Sequence, residues 1–385
     1  MRIGFDATSI HGHGGLKTYA RELLSALARE YPGDEFHLLT GFSPSRRERL
    51  LGLFGSFTNV IVRSAVPHPM MLGTGPAVRL NRLISRAFWQ VSLSSLDLVH
   101  LTDPFGSSVL PGRPVCTIHD LFPLTRDEYR GTRLRKFYLR RASSVVRHAS
   151  AILTPSEYVK KQVLEFHPEI SIPLVVVPEA ASEIFGRYSR ENSSDLPGEL
   201  EEGSYFLYVG AAYPRKNLAG LLSAYSMLPA ATREKIGLVL VISGRGGEVG
   251  TKVKSLLGKI PPGKAPLLVL SDLKEDRLAG LYASAAAFVF PSLDEGFGLP
   301  VLEAMSAGCP VITSKTSCLA EVAGDAAILV DPEDPGEIAE AMRNVVSTPE
   351  TGRKLASRGL ERAAGYSWKK TARATMAVYR SIFQR

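Results

Sequence analysis

Residues 282–314 read YASAAAFVFPSLDEGFGLPVLEAMSAGCPVITS, and this stretch contains the most informative pattern of the sequence. Within it, residues 285–290 form a short apolar run that ends at Pro291, which predicts a buried strand of a parallel sheet. Pro300 suits the first turn of a helix, where its missing N–H costs nothing, and good helix formers follow it. The stretch therefore predicts a strand, a glycine-containing loop and a helix.

The loop and the start of the helix carry the features of a ligand site. Free amides at a helix start and the positive end of its dipole favour a phosphate, and Gly296 and Gly298 let it approach the backbone closely. Glu295 on the loop and Glu303 in the helix can each accept hydrogen bonds from hydroxyls. A ligand with a central diphosphate and hydroxyl-rich groups at both ends is a sugar nucleotide. The plainer alternative is that Glu303 decorates a surface helix and Glu295 lies in an ordinary turn.

The nonamer from Glu295 to Glu303, followed by a second apolar run at residues 310–313, resembles the E-x7-E signature of the retaining glycosyltransferases of family 4. The resemblance implies an α/β chain of the GT-B fold, with two Rossmann-like domains that face each other across a cleft. It also implies that Glu295 contacts the hydroxyls of the donor sugar and that Glu303 contacts the ribose. The amides that would face the diphosphate are those of Phe297, Gly298 and Leu299.

The length and composition predict two domains, because 385 residues with 45% hydrophobic content can bury two ordinary cores. Residues 178–203 lack a clear periodicity and contain Ser, Asn, Pro and acidic residues, which predicts a linker. We therefore expect an acceptor-binding domain over residues 1–180 and a donor-binding domain over residues 200–366. The tail over about residues 367–385 is amphipathic, and the resemblance implies that it packs back on the first domain.

The first domain contains a second glycine-rich loop. Residues 2–7 predict a strand and residues 16–30 have apolar positions at helical spacing, so HGHGG at 11–15 lies between a strand and a helix. Position 17 is Lys17 and not a third glycine, which excludes the dinucleotide fingerprint. A glycine pair alone is weak support for a ligand, but the resemblance implies that Gly14 and Gly15 lie beneath the donor diphosphate at the domain interface.

A histidine stands at the end of another predicted strand of this domain. Residues 115–118 form the strand, and His119 and Asp120 follow at its carboxyl end, where ligands bind in open α/β sheets. A lone histidine is more often structural. The motif TIHDLFPL at residues 117–124 resembles the matching motif of mannosyltransferase-type members of the family. This resemblance implies a hydrogen bond between His119 and the donor sugar near its C6 hydroxyl.

Two adjacent cations follow the first predicted strand of the second domain. Arg215 offers a fork of donors and Lys216 a point charge, and both suit a diphosphate. Surface charges before a helix are the alternative, but the Arg-Lys-Asn step matches the phosphate-binding lysine of the family at Lys216. The chain departs from the common pattern at Ala211, where many members have an arginine. Gly244 lies in the next turn at the ligand edge of this domain, and the resemblance implies that the backbone around Leu273 contacts the base.

The net charge of +8 is concentrated in the N-terminal half, since residues 1–180 carry +7. Residues 126–147 hold eight basic and two acidic side chains. An anionic membrane surface, a lipid diphosphate acceptor or nucleic acid could use such a patch, and a solvated helix face is the plain alternative. The nearby aromatic residues form no base-reading module, so we expect no nucleic-acid partner.

The three cysteines are too few and too scattered for a disulfide framework or a zinc site, which favours a reducing cytoplasm. The first residues enter a strand pattern directly, so we expect no signal peptide, and no apolar run of about eighteen residues predicts a membrane span. We therefore expect a cytoplasmic protein, peripheral at the inner face of the membrane if the basic patch meets lipid.

The residues and the resemblance together predict a retaining hexosyltransferase. Fixed cations and amides can stabilise the leaving diphosphate, and the sequence contains neither Asp-x-Asp nor a cluster with metal-ligand spacing. We expect no metal and no cofactor besides the sugar-nucleotide donor. The favoured reaction moves mannose from GDP-mannose to a glycan or lipid-linked glycan in bacterial-type surface polysaccharide synthesis. A UDP-sugar donor and a sugar-nucleotide binder without catalysis stay open.

Overall fold

The computed structural model divides the chain into two compact units, unit 1 from Met1–Glu179 and Trp368–Arg385 and unit 2 from Ala180–Ser367. Each unit is built on one parallel sheet with helices in its connections, which confirms the α/β prediction. The residues that the structure describes are 1–12, 14–41, 43–66, 93, 95–105, 114–187, 200–243, 255, 257, 258, 260, 264–271 and 273–384.

Unit 1 contains a seven-stranded sheet. Its strands are β1 (Arg2–Asp6), β2 (Glu35–Gly41), β3 (Val60–Val66), β4 (Leu98–Leu101), β5 (Val115–Thr117), β6 (Ala151–Thr154) and β7 (Leu174–Val176). They pair in the order β3-β2-β1-β4-β5-β6-β7, and all the pairs are parallel. Strands β4, β5 and β6 are buried at every residue, as is typical of a parallel sheet covered on both faces.

The sheet of unit 1 is accompanied by helices in the described part of its first 179 residues. They are α1 (Gly15–Glu30), α2 (Pro44–Phe54), α3 (Phe122–Thr125), α4 (Arg133–His148) and α5 (Glu157–Phe166). Ser156 caps α5, because its hydroxyl accepts a hydrogen bond from the Val159 amide at 3.2 Å. Thr132 caps α4 in the same way through the Arg135 amide.

Unit 2 contains a six-stranded sheet. Its strands are β8 (Tyr205–Ala211), β9 (Gly237–Ser243), β10 (Leu267–Leu270), β11 (Ala287–Phe290), β12 (Val311–Ser314) and β13 (Ile328–Val330). The order is β10-β9-β8-β11-β12-β13, again with parallel pairs. The chain runs outward from β8 to β10 and then returns to place β11 beside β8. The carboxyl ends of β8 and β11 therefore meet where the strand order reverses, which is the favoured ligand position of such sheets.

The helices of unit 2 include one within the predicted linker. They are α6 (Glu183–Arg187), α7 (Leu218–Met227), α8 (Ala230–Arg233), α9 (Glu275–Ser284), α10 (Leu299–Ser306), α11 (Ser317–Ala323), α12 (Pro335–Ser347) and α13 (Pro349–Ala364). The linker prediction for residues 178–203 is wrong over α6. Phe185 anchors this helix in the unit 2 core, with its ring 5.7 Å from that of Tyr282.

The last helix, α14 (Trp368–Phe383), belongs to unit 1. Its Tyr379 hydroxyl is hydrogen-bonded to His100 Nδ1, and His100 Nε2 lies 2.8 Å from the Thr117 hydroxyl. Thr117 also contacts the Tyr19 hydroxyl at 2.8 Å. Burial lowers the pKa of His100 to about 3, so its ring is neutral and can both donate and accept in this chain. Among the described helices, none is long and apolar enough to cross a bilayer.

Candidate active site

The loop between β11 and α10 has the predicted form of a strand, a glycine loop and a helix. The buried strand ends at Phe290, and α10 begins at Leu299 after Gly298. Gly298 has φ +98°, and a Cβ on it would lie 2.6 Å from Leu319 Cδ2. Only glycine fits this turn, because another side chain would be both strained and in collision with α11. The predicted amides of Phe297, Gly298 and Leu299 therefore lie together at the start of α10.

Glu295 lies beside the two predicted cations. Arg215 Nη1 donates to Glu295 Oε2 at 3.1 Å, and Lys216 Nζ donates to Oε1. The cationic side chains are 14% exposed and that of Glu295 is 8% exposed. Burial alone would raise the pKa of Glu295, but the charges of Lys216 and Arg215 and the hydrogen bonds from Lys216 and Ser292 outweigh it and lower that pKa. The three charges leave a net charge of about +1 in a sheltered place, which favours an anion.

Two loops of unit 2 are joined to form this cluster. Residues Pro214–Lys216 make a short 3-10 turn that ends at Asn217, whose φ is +53°. Asn217 accepts a hydrogen bond from the Gly220 amide and thereby caps α7. The Leu293 amide donates to the Arg215 carbonyl at 2.7 Å, which ties the loop after β11 to the loop after β8.

Ser292 is a residue of this site that the sequence analysis missed. Its side chain is wholly buried, and its hydroxyl lies 2.7 Å from Glu295 Oε1. The available signal was a polar residue directly after the proline that ends a buried strand, at the carboxyl edge of the sheet.

Glu303 lies on α10, one helical turn beyond the glycine loop. The Tyr282 hydroxyl donates to its Oε2 at 3.1 Å. Burial raises the pKa of Glu303 to about 7, although the hydrogen bond from Tyr282 acts in the opposite direction. Nearby Glu275 raises it further. The two carboxylates of the nonamer thus have opposite electrostatic surroundings, since Glu295 faces cations and Glu303 does not.

Replacing Glu303 with Gln is expected to stabilise the protein at high pH relative to the wild type. The folded-state pKa of Glu303 near 7 lies above the ordinary 4.5. The contribution of this group to the free energy of unfolding is therefore fully present below pH 4.5 and is lost as the pH rises through 7. Gln stays neutral throughout. Between pH 5 and pH 8, the free energy of unfolding of the variant should therefore rise by about 1–3 kcal/mol relative to that of the wild type.

Urea unfolding at pH 5 and pH 8 measures this difference. Glu350→Gln on α13 is the control, because that carboxylate is 76% exposed. An equal stability difference for Glu303→Gln at the two pH values would contradict the assigned surroundings of Glu303.

His119 follows β5 in unit 1, and both of its ring nitrogens have partners. Nε2 donates to the Thr102 carbonyl at 2.8 Å, and Nδ1 lies 2.9 Å from Glu179 Oε1. Burial would lower the pKa of His119, but the hydrogen bond and the charge of Glu179 outweigh it and raise that pKa. A hydrogen bond from this ring to a donor sugar requires exchange or sharing of one of these partners.

The remaining predicted residues lie on both units. Gly14, with φ +68°, precedes α1 in unit 1, and Gly15 is the first residue of that helix. Leu273 packs against the unit 2 core shortly before α9. Gly244 lies outside the described residues. The structure thus brings Glu295, Arg215 and Lys216 into contact beside residues 296–299, whereas His119, Gly14 and Gly15 belong to the other unit.

Two family models match the chain, Glycosyltransferase Family 4 over residues 13–180 and Glycosyl transferases group 1 over residues 189–362. The O-antigen chain mannosyltransferase B of Escherichia coli is 32% identical over 274 residues, which cover 70% of this chain and 71% of that one. The serotype-specific mannosyltransferase WbdA of E. coli is 30% identical over 280 residues, which cover 71% of this chain and 34% of that longer protein.

A solved structure supports the same conclusion about the fold. WaaG, a glycosyltransferase involved in lipopolysaccharide biosynthesis, has a TM-score of 0.74 at 18% identity, over 98% of this chain and 99% of that one. With the two parallel-sheet units, this likeness confirms the predicted GT-B fold. The sequence matches, the fold and the nonamer at residues 295–303 agree, and the chain belongs to the family-4 glycosyltransferases, with similarity to their mannosyltransferases.

Proposed function

We propose that the chain transfers mannose from GDP-mannose to a hydroxyl of a glycan or lipid-linked glycan, with retention and without a metal ion. The observation that carries the proposal is the buried contact of Arg215 and Lys216 with Glu295 beside the glycine loop. The names of the relatives support mannose, and they support an O-antigen or a similar surface polysaccharide as the product. The sequence motif around His119, at residues 117–124, supports the same sugar.

The proposed donor would rearrange the charges of this cluster. Its diphosphate would draw Arg215 and Lys216 from Glu295, and the hydroxyls of the hexose would take their place at the carboxylate. Such an exchange leaves every buried charge either paired or hydrogen-bonded, which a buried site requires. The cations and the amides of residues 297–299 would then stabilise the leaving diphosphate by fixed electrostatics, which we expect to lower the barrier more than any other effect.

The reaction breaks the bond between the anomeric carbon and a phosphate oxygen and forms one from that carbon to the acceptor oxygen. Both events occur on the same face of the sugar, which retains its configuration. The departing phosphate oxygen accepts the proton of the acceptor hydroxyl. Glu295 does not attack the sugar in this scheme, since its role is to orient the hexose and to balance charge. Glu303 would accept hydrogen bonds from the ribose.

A thermal-shift screen with GDP-mannose, GDP-glucose, UDP-glucose and UDP-galactose tests the donor. Only a ligand that binds the folded protein raises the midpoint, and we expect GDP-mannose to raise it most. Membrane extract with radiolabelled GDP-mannose then tests transfer, and the activity should persist in EDTA. A larger midpoint shift with a UDP-sugar would make that sugar nucleotide, and not GDP-mannose, the proposed donor. Donor binding without transfer or hydrolysis would favour a sugar-nucleotide binder without catalysis. Loss of activity in EDTA would overturn metal independence.

We also propose that the protein acts at the cytoplasmic face of a membrane, where helix α4 would contact lipid. This helix carries six Lys or Arg residues and no acidic residue. Phe137, Leu134 and Leu139 on it are about 40% exposed, next to the exposed Lys136 and Arg140. Exposed apolar side chains among basic ones suit an anionic lipid surface.

Vesicle flotation tests this placement. The protein should float with phosphatidylglycerol vesicles and not with phosphatidylcholine vesicles, and Lys136→Glu with Arg140→Glu should abolish flotation. Arg46→Glu with Arg49→Glu on α2 is the matched control, because it changes the charge of the same unit equally at exposed positions. Equal loss in both double variants would point to net charge and not to α4.

A further inference from the structure

The Ser292 hydroxyl lies within hydrogen-bond distance of three oxygen atoms at the end of β11. They are Glu295 Oε1 at 2.7 Å, the Arg215 carbonyl at 2.9 Å and the Asp294 carbonyl at 3.4 Å. A serine hydroxyl has one proton to donate. The Arg215 carbonyl already accepts from the Leu293 amide, and the Asp294 carbonyl from Arg215 Nη1 at 3.0 Å. The proton of Ser292 therefore goes to the nearest and charged acceptor, Glu295.

The position of Ser292 is fixed by the strands around it. Its side chain is fully buried, and its carbonyl accepts a hydrogen bond from the Ser314 hydroxyl at 2.6 Å. Ser314 is the last residue of β12, which pairs with β11. Ser292 thus lies on the loop two residues after β11 and is tied to the neighbouring strand β12 by this hydrogen bond. Lys216 and Arg215, in contrast, reach Glu295 with long side chains.

The donors to Glu295 differ in what a bound diphosphate would do to them. Among the described residues three side chains donate to this carboxylate, namely Arg215, Lys216 and Ser292. The two cations are the groups that a diphosphate attracts. Ser292 is neutral, buried and attached to the sheet, so it stays with Glu295 when the cations turn to the ligand.

We infer that Ser292 is a positioning residue for the transfer reaction, which holds the Glu295 carboxylate in the orientation that receives the hexose hydroxyls. The inference rests on the proposed function, because it assumes that Glu295 faces the donor sugar. Its effect should appear in turnover more than in donor binding, since the diphosphate contacts do not depend on Ser292. A misplaced Glu295 would leave the hexose bound but poorly aligned.

Steady-state transfer by Ser292→Ala, with pH profiles from 3 to 9, tests the inference. We expect kcat to fall about 10–100-fold while the KM for the donor changes less than about threefold. The hydrogen bond from Ser292 helps to lower the pKa of Glu295, so its loss should raise that pKa and move the acid limb of the profile to higher pH. Ser292→Thr keeps the hydroxyl and should recover most of the turnover and the wild-type limb.

Thr313→Val is the matched control. Thr313 is also fully buried, and its hydroxyl donates to the Phe290 carbonyl at 2.9 Å without contact to Glu295. This variant should keep the wild-type acid limb even if its melting point falls. If Ser292→Ala does not fold, the same measurement can be made on Ser292→Cys, because a thiol is only a weak hydrogen-bond donor.

Two outcomes would overturn the inference. One is an unchanged acid limb in a folded Ser292→Ala variant, and the other is an equal shift in Thr313→Val. Failure of the proposed function is a different result, because the wild-type protein itself would then show no transfer from any tested donor.

Discussion

Turnover of the Glu295→Gln variant is expected to be about 10²–10³-fold below that of the wild type, the size found when one electrostatic contact of a transition state is removed. Gln keeps the shape of Glu295 but presents an amide where two cations require an anion. Arg215 and Lys216 would then repel each other at side chains that are 14% exposed. In the presence of donor, the hexose would lose its charged acceptor as well.

Initial rates at saturating donor, together with the melting point, measure this prediction. Glu337→Gln is the control, because it makes the same change at an ion-paired carboxylate that is 39% exposed, next to Lys315 at 3.6 Å. Such exposed pairs contribute at most about 1 kcal/mol. The assignment of Glu295 fails if its variant folds and keeps more than half of the wild-type turnover.

Removal of residues 368–385 is expected to unfold unit 1. Trp368, Met376 and Tyr379 are 7%, 1% and 0% exposed in the full chain. Burial of three such side chains contributes roughly 5–9 kcal/mol, which is comparable to the whole stability of an ordinary domain. The truncated chain would also leave His100 Nδ1 without its Tyr379 partner.

Far-UV circular dichroism and limited proteolysis of the chain ending at Ser367 measure this loss, and cleavage should spread through residues 1–179 while 180–367 resists. Tyr379→Phe is the graded control, since it removes only the hydroxyl and should cost about 1–3 kcal/mol. A truncated chain in which both units resist protease would contradict the account.

The architecture of both units can be predicted because buried parallel strands give short apolar runs. The run at residues 285–290 indicates a strand on that basis, although the paired part of the strand is Ala287–Phe290. Helix α6 is not predictable in the same way, because five residues are too few to show a helical period and its single buried anchor is Phe185. Its structure depends on tertiary contact and not on local propensity.

The chemistry of the site can be predicted in its parts and not in its contacts. The sequence assigns Glu295 and Lys216 each to a ligand, but nothing local indicates that residues 79 positions apart form an ion pair. That contact follows from the strand order, which places the end of β8 beside the end of β11. Ser292 could not be predicted for a related reason. Its proposed role depends on the oxygen atoms around its hydroxyl, and their positions follow from the fold and not from the local sequence.

Unit 1 takes its residues from both ends of the chain, whereas unit 2 uses one continuous segment. Synthesis on the ribosome delivers the N-terminal end first. Even so, unit 2 has all of its residues before unit 1 does, because α14 follows unit 2 in the chain. The nascent N-terminal unit therefore stays incomplete while the whole of unit 2 is synthesised, and it can finish folding only after α14 has emerged.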